Sequence, residues 1–195
     1  MLTIFKEKFG EITITRGSSH DFLGMNMTIT KERRVEIAMR KKIEEVIEIL
    51  GEEIKGKVST PAAKHLLWVD DTKPLLDQKR TYILYSVTDK CLYITKMGRP
   101  DIDPTVAFLC KRVTKSNKDG WKKLERLLVV LKNTIDDKRY IRVFDLDSLY
   151  TWIDAAYDFH LDMKIHTGEA ISFGRGMLHC CSVNQNINTK ISTEA

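Results

Sequence analysis

Leu149-Tyr150-Thr151-Trp152-Ile153-Asp154-Ala155-Ala156 reads as a strand with one carboxylate set among apolar neighbours. Taking such a carboxylate out of water is costly unless something cationic pairs with it, so Asp154 marks a candidate site. Outward from this stretch the period stays at two. Arg139 to Phe144 reads as a preceding strand. Glu169 to Phe173 reads as a following one, broken by Gly174-Arg175-Gly176, and Met177 to Val183 runs back. A polar loop, Asn184-Gln185-Asn186, then leads to a helix start at Ser192-Thr193-Glu194. Glu194 is either the acid of an ordinary first turn or a second carboxylate delivered beside Asp154.

Further from that stretch, the first 40 residues read as extended structure. Glu11 to Thr15 alternates, Arg16-Gly17-Ser18-Ser19 turns, and Phe22 to Ile29 runs on as a strand. Lys31 to Arg34 is a charged turn before the alternating Val35 to Met39, which together predict an antiparallel hairpin. The period then switches. Ile43, Val46, Ile47 and Leu50 share a helical face, and Gly51 closes the helix. Residues 51–65 read as a connector. Asp77 can cap a helix running to Met97, Asp103-Pro104 starts another, and Asn117 opens a third with Trp121, Leu124, Leu127, Leu128 and Leu131 inside. These stripes are core, and the class is α+β.

The chain has 195 residues, enough for one ordinary domain, and 30% of them are charged, which suits a water-facing surface. A net charge of +5 is compatible with a polyanionic partner without demanding one. The longest apolar runs, such as Leu127 to Leu131, are too short for a bilayer, and the N-terminus lacks a signal-peptide pattern. A cytoplasmic or nuclear location is expected. The four cysteines form no C-x-x-C pair. His160, His166, His179, Cys180 and Cys181 fit no zinc spacing, so they read as buried thiols and scattered histidines.

The order of several short motifs adds to this reading. They are Phe22-Leu23-Gly24-Met25, Ser59-Thr60-Pro61, Gly98-Arg99-Pro100-Asp101-Ile102, and Trp121 with Leu124 to Leu131. Trp152-Ile153-Asp154-Ala155, His166-Thr167-Gly168, and Thr189-Lys190 through Ser192-Thr193-Glu194-Ala195 follow. Together they resemble a copia-type LTR retrotransposon Pol polyprotein, nearly end to end, between its polymerase active site and the middle of its ribonuclease H domain. The resemblance implies that residues 1–40 are the end of a reverse transcriptase palm, with Phe22, Leu23, Gly24 and Met25 primer-grip-like. Residues 41–138 would be a helical thumb/connection-like region. Residues 139–195 would open a truncated ribonuclease H-like domain with an incomplete mixed sheet, whose C-terminal 50 residues are expected to be looser than the helical middle.

In that family Asp154 and Glu194 would be ribonuclease H acids holding Mg²⁺. Two such ions roughly 4 Å apart can activate a water and stabilise the leaving oxygen in an in-line attack on phosphorus. Hard ions of this kind take carboxylate oxygens, not thiols. The implied partners are an RNA–DNA hybrid or other nucleic acid and the missing polyprotein segments, with no membrane. The polymerase active site and half of the ribonuclease H acids are not in the chain, so the expectation is a fragment related to RNA-templated DNA synthesis and hybrid cleavage but inactive as it stands.

Other readings stay open. Lys111, Arg112, Lys115, Lys118, Lys122, Lys123 and Arg126 cluster around two helices and can follow a phosphate backbone, which would make the chain a non-catalytic nucleic-acid-binding module; the bland version is a solvated helix face. An unrelated small α+β protein with a metal or thiol role is disfavoured by the absence of ligand spacing. Leu67-Trp68-Val69-Asp70-Asp71 resembles a Y-x-D-D hairpin, but Thr72-Lys73-Pro74 breaks any second strand, so it reads as a loop.

Overall fold

Asp77 accepts the Arg80 backbone N–H at 2.8 Å, Asn117 accepts that of Gly120 at 3.0 Å, and Gly51 takes the left-handed conformation. Caps of these kinds satisfy groups a helix end would otherwise leave unpaired. The computed structural model describes residues 2–64, 66–156 and 166–184. In chain order its regular elements begin with α1 (Leu2–Phe9), β1 (Ser19–Phe22), β2 (Met25–Ile29), β3 (Val35–Ala38) and α2 (Arg40–Leu50). The helices α3 (Gln78–Met97), α4 (Asp103–Arg112) and α5 (Lys118–Asn133) follow. The remaining strands are β4 (Lys138–Val143), β5 (Tyr150–Ala156), β6 (His166–Ser172), β7 (Gly174–Arg175) and β8 (His179–Asn184). The class is α+β, as the switches of period indicate.

The strands form a five-stranded sheet in the order β1-β2-β3-β4-β7 and a three-stranded sheet in the order β5-β6-β8. All these pairs are antiparallel, where the resemblance implies a mixed sheet. β4 is the strand read at Arg139 to Phe144, and it pairs with β3, setting Val35 opposite Ile141 and Glu36 opposite Tyr140. Side chains support that join: Lys138 donates to Glu36 at 3.0 Å, and the Arg34 guanidinium lies 5.0 Å from the Tyr140 ring centroid.

The core lies where α2, α3, α4 and α5 meet the inner side of the larger sheet. Ile43 and Val46 of α2, Val87, Cys91 and Ile94 of α3, and Leu109 of α4 are fully buried there. So are Leu124, Leu127, Leu128 and Leu131 of α5. Each such side chain contributes roughly 1.5–3 kcal/mol by leaving water, which makes the helical layer the stable part of the molecule. Burial also pushes the Cys91 thiol from 9.0 up to about 12, since a thiolate there would be desolvated.

Two expectations fail near the N-terminus. Glu11 to Thr15 forms no strand; the chain there is irregular, after the α1 helix. Phe22 to Ile29 is not continuous either. Leu23 and Gly24 have φ of 51° and 82° and make a two-residue turn, so Ser19–Phe22 folds back on Met25–Ile29. Positive φ at both central residues matches the right-handed twist of the flanking strands, and glycine at the second position makes the turn affordable. The strand period alone could not reveal a turn placed inside it.

The helix start at Asp103-Pro104 holds, although Asp103 does not act as the cap that an acid before proline suggests. It is the first residue of α4 itself and makes no cap; its carboxylate accepts from Lys96 at 2.8 Å and Thr95 at 3.3 Å instead. The Gly98-Arg99-Pro100-Asp101-Ile102 motif is a structural staple. Arg99 is buried, holds Asp101 with two hydrogen bonds, and donates to the Thr134 carbonyl at 3.0 Å and its hydroxyl at 2.8 Å, so the ends of α3 and α5 are tied together.

Candidate nucleic-acid interface

The Phe22-Leu23-Gly24-Met25 turn stands against α3. Tyr93 donates its hydroxyl to the Leu23 carbonyl at 2.7 Å, and Met25 anchors the base of the turn in the core. Leu23 itself is 65% exposed, and Phe22 is exposed beside it. Between this tip, α2 and α3 runs a groove of about 600 Å³ lined by Leu23, Lys42, Lys90, Leu92, Tyr93 and Lys96 among others. The side chain of Lys42 packs under Gly24, where a Cβ would strike it, and its ammonium holds Glu45 at 2.9 Å.

The exposed face of α3 runs on beyond the groove. Tyr82, Tyr85, Asp89, Leu92, Tyr93 and Lys96 recur at helical spacing on the face opposite the buried Leu84, Val87, Cys91 and Ile94. Tyr82 is 70% exposed and Tyr85 57%. Aromatic planes for stacking, with lysines for phosphates, are the chemistry by which a protein holds a nucleic-acid backbone and its bases. The sequence reading passed over these tyrosines. Their spacing from the buried stripe is the signal that would have found them.

The basic cluster around α4 and α5 divides differently. Lys115 and Lys122 are exposed, as are Lys111 and Lys118. Arg112, by contrast, is paired with Asp71. Lys123 is only 7% exposed: its ammonium holds Asp119 at 2.8 Å and the Trp68 carbonyl, and lies 4.4 Å from the Phe108 ring centroid. Arg126 donates to the Thr60 carbonyl at 3.0 Å. Arg126 therefore ties the connector, and Arg112 and Lys123 the Trp68–Asp71 loop after it, onto the helices, and what they leave facing solvent is a scatter of lysines. Contacts spanning 41–66 positions leave no trace in local sequence.

Asp70 and Asp71 lie in a turn, as the loop reading has it. Asp70 accepts from the Thr72 hydroxyl and backbone N–H, and that hydroxyl bond holds its carboxyl below the usual carboxylate range.

Asp154 is exposed on β5, and its cross-strand neighbours are Gly168 on β6 and, beyond it, Ser182 on β8. Glu194 lies outside the described residues. Two further acids stand near the same sheet. Glu169 is in the next row, with the Cys181 thiol 3.8 Å from its Oε2, and Asp103 is committed to Lys96. Among the described residues no three His, Cys, Asp or Glu side chains come together as metal ligands. Around Asp154 the described residues offer Glu169 and the Cys181 thiol, a softer donor set than the all-oxygen one a magnesium ion takes.

The described residues thus define an α+β protein with an exposed, tyrosine-bearing helix face beside a β-turn. No described helix is long and apolar enough to cross a membrane. Comparison with protein families, with curated proteins and with solved structures finds no match.

Proposed function

We propose that the chain is a copia-type retrotransposon Pol segment, of reverse transcriptase and ribonuclease H descent, that engages an RNA–DNA hybrid. The motif order supports the descent. The observation that carries the engagement is the Leu23 tip, tied to Tyr93 on the α3 face that also presents Tyr82 and Tyr85. A duplex laid along that face meets tyrosine rings and hydroxyls at helical intervals, with Lys90 and the turn at one end. A partner of this kind belongs to the cytoplasm or nucleus.

The proposed role is binding, not hydrolysis. Among the described residues Asp154 has no second carboxylate in its cross-strand row, and phosphoryl chemistry of this class needs several around its metals. Fluorescence anisotropy with a labelled RNA–DNA hybrid tests the reading. Affinity should fall with salt on a log–log slope of several charges, and Mg²⁺ should produce no cleavage. Affinity insensitive to salt, or cleavage abolished by Asp154→Asn, would overturn it.

A further inference from the structure

We infer that the cleft between the Pro100–Pro104 segment and the three-stranded sheet binds a small organic ammonium ion, a primary amine carried on an apolar stem. The cleft encloses about 460 Å³, room for a compact molecule and not for a duplex. Pro100, Pro104, Ile153 and Met177 line it with apolar surface, and Trp152 adds an indole that is 55% exposed. Every ionisable acid that lines it is a carboxylate or a thiol, and no Lys, Arg or His does so among the described residues.

Asp103 is the polar anchor. It is 4% exposed, and its Oδ1 holds Lys96 and Thr95. Its Oδ2 is buried and accepts no hydrogen bond from the described residues. An anionic oxygen in that state favours a ligand that brings N–H donors and positive charge together. Lys96 offsets one of the carboxylates that line the cleft, while Asp154 and Glu169 remain. Arg139 is committed to backbone carbonyls, and Arg99, next to Pro100, to Asp101 and Thr134. An inorganic cation would use the acids but leave the apolar walls idle. Trp152, across the sheet from Ala170 and Cys180, offers its ring to the same charge. The ligand class follows from that combination: a cationic donor on an apolar stem.

The inference does not rest on hybrid binding, which uses the α3 face. The test is an NMR titration of the whole chain with phenethylammonium, following the Trp152 indole N–H and the Asp103 and Ala170 amides. Saturable shifts confined to these signals are expected, with affinity roughly tenfold or more weaker for the uncharged 2-phenylethanol. Asp103→Asn should weaken the amine by a similar factor. Because that variant also touches Lys96, the surface variant Trp152→Leu supplies a second reading, expected to cost several-fold affinity with the thermal midpoint unchanged. Equal binding of the alcohol, shifts that never saturate, or affinity unmoved in both variants would overturn the proposal.

Discussion

Arg139, the second residue of the strand that extends the N-terminal sheet, donates to the carbonyl of Met97, the last residue of α3, at 3.0 Å. The same guanidinium reaches the carbonyls of Lys96, Met177 and Leu178. A cation at a helix C-terminus meets the negative end of the peptide dipoles, and here it also joins α3 to the segment that leads into β8. Burial lowers its pKa from the ordinary guanidinium value, yet a guanidinium stays charged across the working range.

Arg139→Ala should therefore destabilise the chain by about 2 kcal/mol, the worth of a charged donor shared among carbonyls. Arg139→Lys should recover only a minor part, because a single ammonium cannot fork to both sides. Urea unfolding followed by circular dichroism checks both values.

Gly176→Ala should loosen the join between β4 and β7. Gly176 has φ of 86°, and a Cβ there would fall inside the Tyr140 carbonyl oxygen. Backbone cannot give way as a side-chain tip can, so a loss of about 1–3 kcal/mol is expected in the same unfolding assay.

Cys91 sets a dependence on alkaline pH. Its folded-state pKa is raised from 9.0 to about 12, so the folded state holds the thiol proton more tightly than the unfolded chain does. That contribution is fully present below about pH 9 and is lost as pH rises towards the folded value. Cys91→Ala should flatten the decline of stability above pH 9 by up to about 1.4 kcal/mol per pH unit. Unfolding free energies of both proteins at pH 8, 9 and 10 test this; parallel declines would show that Cys91 does not contribute.

Hydrogen exchange should separate the layers. Amides of α5, whose Leu124, Leu127, Leu128 and Leu131 are fully buried, should exchange far more slowly than those of β5, an edge strand with Trp152 and Ile153 exposed. Comparable protection in both would contradict the division.

Much of this architecture was legible in the sequence. The caps at Asp77 and Asn117, the stop at Gly51 and the Trp121–Leu131 stripe depend on neighbours within a few positions, and the structure has them as read. The strand period also located β4, β5, β6 and β8 to within a few residues. Illegible was whatever depends on distant partners. The pairing of β4 with β3 spans the helical region, and the employment of Arg112, Lys123 and Arg126 depends on Thr60, Trp68 and Asp71, far back in the chain. Clustered cations in sequence look like a phosphate track until their carbonyl and carboxylate partners are known. The α3 face was hidden for the opposite reason: exposed tyrosines become visible only once the buried stripe fixes which side faces out.

The central claim is that the α3 face and its turn, not the α4–α5 lysines, hold the nucleic acid. Hybrid affinity of a Tyr82→Ala/Tyr85→Ala protein, measured beside a Lys115→Ala/Lys122→Ala protein at one salt concentration, tests it most directly. Loss of two tyrosine contacts to the sugar–phosphate backbone, at about 0.5–1.5 kcal/mol each, should cost the tyrosine variant roughly tenfold, and the lysine variant only a few-fold. The reverse order, or two variants that bind as the unmodified chain does, would contradict the account.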